Sequence, residues 1–401
     1  MTVVNMFNLL VVTAGVVLFR SGIQADQLCL TGDFESQLQY ILRSQMLTTQ
    51  DIANISRLLD DVLPTLSKRW QGYEVYPFGS VTIGIGLKTS DLDYYIRLQN
   101  EYSLDMLYVL EETDKLFKEQ PSLYSRVSFK YIKFPLFQFF HIPTQRNVDI
   151  IYKFGDGGLR RSQLIRYFFN LDERFLPLGG ILKIWSEIHG LTGASRTLPN
   201  YALYMLILFY LQQKNMVPSV YVLQRDSVSY FVDNWDVGFN EIPYNSTNTE
   251  NVYQLLRGFF EYYNEFNFEE YMVSPFAGHP INKSAFVDIQ NFPKEFSSYK
   301  YSLKHTLQLR ILNDLNINTD MCIQDTVQHD LNTGEKVSHE DFKKFKSLMK
   351  SVVRLFDELP IDKFLRGFLV VDQYNETDTY QNNATEDGIG KREDCIEVSL
   401  T

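Results

Sequence analysis

The sequence predicts an α+β fold: a strand-rich first part followed by a mainly helical second part. Three observations predict it. Short runs rich in Tyr, Ile, Val and Phe fall between Tyr73 and Tyr152, long enough for strands and too short for helices. Apolar residues recur at three and four in Leu38, Ile41, Leu42 and then Ile52, Ile55, Leu58, Leu59, Val62, Leu63, the spacing of amphipathic helices. After Gly155-Asp156-Gly157-Gly158 the helical spacing dominates. A chain of 401 residues, 45% of them hydrophobic, can bury cores for two domains.

Taken in order, residues 1–30 are an apolar N-terminal segment with no charge before Arg20. Asn5, Asn8 and Thr13 interrupt its run from Val3 to Phe19, which stands at the short limit of a membrane span. Three readings stay open: a signal sequence or anchor, an organelle-targeting segment, or a helix packed on the body. Residues 31–155 follow as the first domain. Two leading helices lie between Asp33 and Trp70, with Thr49 as N-cap of the second. A strand is expected from Tyr73 to Phe78, a second opens at Asp91 and Asp93, and a helix covers about Leu104 to Glu119. Further strands are expected near Arg126 to Phe134, Leu136 to His141 and Asn147 to Tyr152. Residues 156–360 form the helical domain, with helices at about Arg161 to Phe169, Asp172 to His189, Asn200 to Lys214, Thr249 to Phe266 and His339 to Phe356. Residues 361–401 are read as an acidic, disordered tail, since from Asp372 the chain is rich in Asn, Thr, Asp and Glu.

The net charge of −11 argues against broad, tight affinity for nucleic acid, because phosphate-binding surfaces are basic. Local basic patches can still take a short RNA end. Cys29, Cys322 and Cys395 are odd in number and far apart, which predicts reduced thiols rather than a disulfide framework. The six histidines show no zinc-ligand spacing, so no structural metal is expected. Asn-x-Ser/Thr triplets stand at Asn54, Asn245, Asn282, Asn375 and Asn383, a pattern with little meaning until a secretory route is established.

The chemistry concentrates in residues 73–98. The strand Tyr73 to Phe78 runs into Gly79-Ser80, and Asp91 and Asp93 then open a strand rich in Tyr and Ile. Side chains two apart on a strand share a face, so both carboxylates point the same way. Neighbouring carboxylates repel unless a cation lies between them, and hard divalent ions take oxygen ligands. Gly79 permits close approach of backbone to a ligand, and Ser80 offers a hydroxyl.

This order of strand, Gly-Ser, loop and Asp-Leu-Asp resembles the DNA polymerase β-like nucleotidyltransferases, and within them the noncanonical poly(A) polymerases and terminal uridylyltransferases. The likeness runs from about residue 70 to 350. It continues through Arg-Asn-Val-Asp-Ile-Ile-Tyr around Asp149, Leu-Asp-Glu-Arg at 171–174, Ile-Leu-Lys-Ile-Trp at 181–185, Tyr-Ala-Leu-Tyr-Met-Leu from Tyr201 and Cys-Ile-Gln-Asp at 322–325. The contexts around Phe78, Asn200 and Leu331 are most similar to the mitochondrial poly(A) polymerase branch. The resemblance implies a mixed-sheet catalytic domain, a helical central and poly(A)-polymerase-associated domain, and template-independent transfer of a nucleotide from ATP or UTP to an RNA 3′ end. Asp91, Asp93 and Asp149 would be catalytic and would bind two Mg²⁺ or Mn²⁺ ions, with Asp149 also taking the proton of the attacking hydroxyl.

The resemblance further implies that Phe78, Gly79 and Ser80 hold the triphosphate, that Lys183 reaches it, that Asn200 and Tyr201 meet the nucleoside with Tyr201 stacking on the base, and that Asp325 lies in a segment closing over the base. Three positions depart from the pattern. Glu187 replaces a second phosphate lysine, Arg161 an asparagine at the ribose, and Asn200 a serine. Leu331 falls where uridylyltransferases carry a base-reading histidine, which favours ATP; a shift of two residues would bring His329 there and favour UTP. No separate RNA-binding domain is recognisable, so a homodimer or an RNA-targeting protein partner is expected to contribute, in mitochondria or cytoplasm.

Overall fold

A computed structural model describes residues 26–99, 103–131, 135–152, 155–193, 197–306, 314–370, 395–398 and 400. Five strands form one mixed sheet in the order Glu74–Phe78, Leu92–Arg97, Arg146–Ile151, Pro135–His141, Tyr124–Tyr131. All neighbours are antiparallel except Leu92–Arg97 and Arg146–Ile151, which run parallel. Parallel neighbours need a long crossover. The chain uses the helix Met106–Lys118 and the strands Tyr124–Tyr131 and Pro135–His141 for it. That helix buries Val109, Leu110 and Phe117 with Tyr94, Ile96, Phe137, Phe139 and Val148 of the sheet.

The helices Thr49–Ser56 and Leu58–Ser67 add Ile55, Leu58, Val62 and Leu66 to the same core. The N-cap is Thr48 rather than Thr49. Its hydroxyl accepts the Asp51 N–H at 3.1 Å, while the Asp51 carboxylate accepts the Thr48 N–H at 2.8 Å, a reciprocal box that Thr49 cannot form from inside the helix.

A second core is built on the helices Phe175–Ile188 and Asn200–Gln213, whose residues are buried almost all round. The first helix, Phe34–Gln45, packs here and not on the sheet, inserting Phe34, Leu38, Ile41 and Leu42. Gly180 permits the approach, since a Cβ there would stand 2.9 Å from Leu42 Cδ2. The leading helix, grouped above with the first domain, thus packs against the helical core. The helix expected from Arg161 starts at Gly155, and Asp156 in its first turn pairs with Arg97. Short helices at Val220–Arg225 and Ser297–Thr306 were not expected.

The disordered tail is corrected at both ends. Helix Ile361–Val370 buries Phe364, Leu365, Phe368 and Leu369, a helical spacing that outweighs the polar composition beyond it. Strand Cys395–Val398 pairs antiparallel with Asp26–Cys29 and buries Ile396 and Val398 beside Leu28. The apolar stretch 1–19 and residues 371–394 lie outside the described residues. Among the described residues, no helix is long and apolar enough to cross a membrane.

Cys29 and Cys395 face each other across this strand pair and form a disulfide 366 residues apart in sequence. The expectation of three reduced thiols is therefore wrong. Their separation hid a pairing that only the fold creates. Cys322 is the remaining thiol, buried, its pKa pushed up to about 12 by that burial. Closing so long a loop restricts the unfolded chain, so Cys29→Ser should lower stability by about 2–4 kcal/mol. Chemical denaturation with and without reductant checks this: the wild-type midpoint should fall to that of Cys29→Ser on reduction, and coincident midpoints without reductant would remove the covalent tie.

Candidate active site

Strand Glu74–Phe78 leads directly into the short helix Gly79–Ile83. Gly79 has φ of +74°, and a Cβ at this position would collide with the Asp93 carboxylate. Only glycine suits both the conformation and the contact. The Gly79 N–H donates to Ser162 Oγ at 2.9 Å, and Ser162 in turn donates to the Gly158 carbonyl. The phosphate-cradling N–H expected at Gly79 is thus engaged within the protein. Ser80 is the second residue of the same short helix, and its carbonyl accepts the Gly84 N–H.

Parallel pairing sets Asp93 directly beside Asp149, with Asp91 just ahead of its strand. Asn147 Nδ2 donates to Asp91 Oδ1 and Gln138 Nε2 to Asp149 Oδ1, each at 3.0 Å. Burial, and then the charges of Asp149 and Asp91, push the Asp93 pKa up to about 7 against the pull of Lys183. Burial also raises Asp149, with Asp91 adding to the shift and Gln138 opposing it. The three predicted carboxylates are brought together electrostatically. Among the described residues, however, no three Asp, Glu, His or Cys side chains are gathered as a ready-made ion cage. The donor set of carboxylate oxygens, short of positive charge, suits a hard divalent cation.

Lys183 takes a different place from the expected one. Its side chain is 1% exposed, and Nζ donates to the Ile85 carbonyl at 3.2 Å and Ser90 Oγ at 3.0 Å, with Glu187 at 3.9 Å. Burial lowers its pKa, while Glu187, Asp93 and Asp91 oppose the shift. The lysine is a strut beneath the loop that delivers Asp91, and no part of it is offered to a phosphate at the surface. Glu187 is buried beside it, its pKa raised by that burial.

The residues expected around the base form a second group. Tyr201 Oη lies 3.1 Å from Thr326 Oγ1. Arg161 Nε donates to Asp325 Oδ2 at 2.6 Å and Arg161 Nη2 to Gln328 Oε1 at 3.0 Å. The other Asp325 oxygen accepts the Val327 and Gln328 N–H groups at 2.9 and 2.7 Å. With both oxygens engaged and no exposed side-chain surface, Asp325 shapes its turn and pairs with arginine. Burial opposes the Arg161 charge, but Asp325 outweighs it and holds the guanidinium above its ordinary range. Leu331 caps this turn, its carbonyl accepting the Asp325 N–H at 3.0 Å. Asn200 opens its helix with Oδ1 buried and without a hydrogen-bond partner. His329 is packed among Trp235, Phe276, Phe296 and Tyr299, and burial pushes its pKa down to about 3. A histidine so enclosed is a neutral core side chain and does not read a base.

Helix Gly155–Phe169 joins the two groups, holding Gly79 through Ser162 and Asp325 through Arg161. Four partners escaped the sequence reading: Gln138, Asn147, Ser90 and Ser162. Asn147 could have been found, since it lies two residues before Asp149 and therefore shares its face. Gln138 depends on the cross-strand register that sets it opposite Asp149, and Ser90 and Ser162 act across long sequence distances.

Comparison with known proteins agrees with this geometry. Residues 34–170 match the family described as "Poly(A) RNA polymerase, mitochondrial-like, central palm domain". The chain is 31% identical to human terminal uridylyltransferase 7 over 221 residues, covering 51% of this chain and 15% of that protein. It is 23% identical over 304 residues to the mitochondrial poly(A) RNA polymerase of Drosophila melanogaster, covering 65% and 50% respectively. It thus spans half or less of these relatives' length. Among solved structures, mtPAP in complex with ATPγS superposes with a TM-score of 0.70 at 20% identity, covering 85% of this chain and 72% of that one. The Cid1 poly(U) polymerase does so at 0.66 and 18% identity, covering 82% and 98%; these likenesses establish the fold. Residues 34–170 thus match a family palm domain, and the chain as a whole is similar to noncanonical poly(A) polymerases and terminal uridylyltransferases.

Proposed function

We propose that this chain is a template-independent RNA nucleotidyltransferase that adds a nucleoside monophosphate, from ATP in preference to UTP, to an RNA 3′-hydroxyl. The observation that carries the proposal is the side-by-side placement of the half-buried Asp93 and Asp149 on parallel strands, with Asp91 adjacent. Asp91, Asp93 and Asp149 would hold two divalent ions, Mg²⁺ or Mn²⁺, which when bound supply neutralisation of developing charge and a more acidic hydroxyl. Asp149 keeps Oδ2 for the proton of the attacking 3′-hydroxyl while Gln138 fixes Oδ1. Lys183 and Ser90 steady the loop that presents Asp91. Ser80 meets the phosphates at the start of its helix, and the Tyr201 ring supports the base without selecting it.

A second reading, a catalytically weak relative serving as an RNA-binding or dimerisation module, is favoured by two departures. Arg161 is already paired with Asp325, and Glu187 lies beside Lys183 where a second cation was expected. The net charge of −11 fits RNA choice through a second copy or a protein partner in either reading. Purified chain incubated with a labelled RNA primer, Mg²⁺ or Mn²⁺ and each triphosphate separately decides between them; extension supports the enzyme, and binding without extension supports the module.

Asp91→Asn, Asp93→Asn and Asp149→Asn should each lower turnover by orders of magnitude in folded protein. Retention of the wild-type rate in Asp93→Asn would reject the assignment. The same variant tests the electrostatics. An acid raised in the folded state contributes stability below its unfolded pKa and loses it as pH rises through the folded one, here from about 4 to about 7. With divalent ions chelated, wild-type stability should therefore decline across that window relative to Asp93→Asn; parallel profiles would contradict the buried charge.

Base choice follows from Leu331, which has no polar group with which to read uracil, whereas a polar contact to a base can be worth on the order of 10²-fold or more in discrimination. Equimolar ATP and UTP on one primer should give mainly adenosine, and His329→Phe should leave the ratio unchanged. A changed ratio would return the buried histidine to the base site, and predominant uridine incorporation would refute the assignment to ATP.

A further inference from the structure

We infer that this chain matures in an oxidising, glycosylating compartment and carries an N-linked glycan on Asn245. The first observation is the Cys29–Cys395 disulfide. Glutathione keeps such pairs reduced in cytosol and nucleus, whereas secretory compartments form and preserve them. The bond joins two four-residue strands at opposite ends of the described chain, and the third cysteine is buried and poorly ionised. No exposed thiol is left to shuffle the pairing.

The second observation is independent. Residues 241–251 have no helix, strand or turn and alternate strictly between exposed and half-buried positions. Asn245 and Thr247 fall on the outward face, and the intervening Ser246 turns in to donate to the Asn215 carbonyl at 3.3 Å, as the Tyr244 hydroxyl does on the other side. A period of two thus presents the acceptor amide and the hydroxyl two residues on together. The other described triplets lack this. Asn54 lies within helix Thr49–Ser56, where a residue two positions on faces another side, and its Oδ1 accepts from Gln50. Asn282 is spent on both ends, donating to Glu270 and accepting the Ser284 N–H.

The modification is a group transfer from a polyprenyl pyrophosphate-linked oligosaccharide, of the kind such a compartment supplies. The Asn245 Nδ2–sugar C1 bond forms as the sugar C1–phosphate oxygen bond breaks; the amide loses one proton and the polyprenyl pyrophosphate leaves. Of the three readings of the apolar stretch before Arg20, the signal or anchor reading delivers a chain to that compartment, and the mitochondrial or cytoplasmic placement expected above does not.

The full chain, with its own N-terminal residues, is expressed in eukaryotic cells and recovered under thiol-blocking conditions. Alkylation of the denatured, unreduced chain should modify Cys322 alone. Digestion with an amidase that releases N-glycans should increase gel mobility and convert Asn245 to Asp in the corresponding peptide. Asn245→Gln and Thr247→Ala should each lose that conversion; the second leaves the asparagine in place and controls for altered folding. Three alkylated cysteines, or an unmodified Asn245 peptide in oxidised chain, would overturn the inference. An oxidised chain without glycan indicates an oxidising compartment without glycosylation and equally defeats the proposal.

Discussion

Placing the half-buried Asp93 beside Asp149 is the constraint on which the sheet-bearing half depends. Two carboxylates on adjacent strands, both raised first by desolvation and then by neighbouring carboxylates (Asp149 and Asp91 for Asp93, Asp91 for Asp149), oppose folding unless their surroundings are organised to tolerate them. The fold meets this with placed polar groups rather than with solvent. Gln138 and Asn147 each bind one carboxylate oxygen, Lys183 supplies the nearby positive charge, and Gly79 yields the space the Asp93 side chain occupies. The residual excess of negative charge would favour a hard cation at the proposed site.

The same reasoning extends to the helical half through helix Gly155–Phe169. One of its faces secures Gly79, and Arg161 secures the Asp325 turn. Removing one partner of so buried an ion pair typically costs about 3–5 kcal/mol, so the pair ties the turn firmly to the palm. Where a nucleotide would otherwise find free charges, this chain has satisfied several of them internally. Under the proposed function, the departures at Arg161 and Glu187 would bear on substrate affinity while the three carboxylates keep their arrangement.

Much of this was legible in the sequence because it rests on local patterns. The strand, Gly79-Ser80 and the Asp91/Asp93 alternation predicted the hairpin and its carboxylates, and the resemblance to nucleotidyltransferases supplied Asp149 within Arg146 to Tyr152. The helices around Lys183 and Tyr201 were equally plain. What failed depended on distant partners. A motif cannot show that Lys183 Nζ is bound by Ile85 and Ser90, that His329 is enclosed by four aromatic rings, or that Cys29 meets Cys395. The tail was misread for a related reason: its composition is polar on average, while Phe364, Leu365, Phe368 and Leu369 carry a helical stripe within it.

The central claim is that Asp91, Asp93 and Asp149 together form a hard-cation site. Mn²⁺ binding followed by electron paramagnetic resonance tests it most directly, using wild type and Asp93→Asn at equal concentration with and without nucleoside triphosphate. The account predicts loss of the free Mn²⁺ signal with wild type, strengthened by triphosphate, and little loss with Asp93→Asn. Equal Mn²⁺ uptake by the two proteins would contradict it.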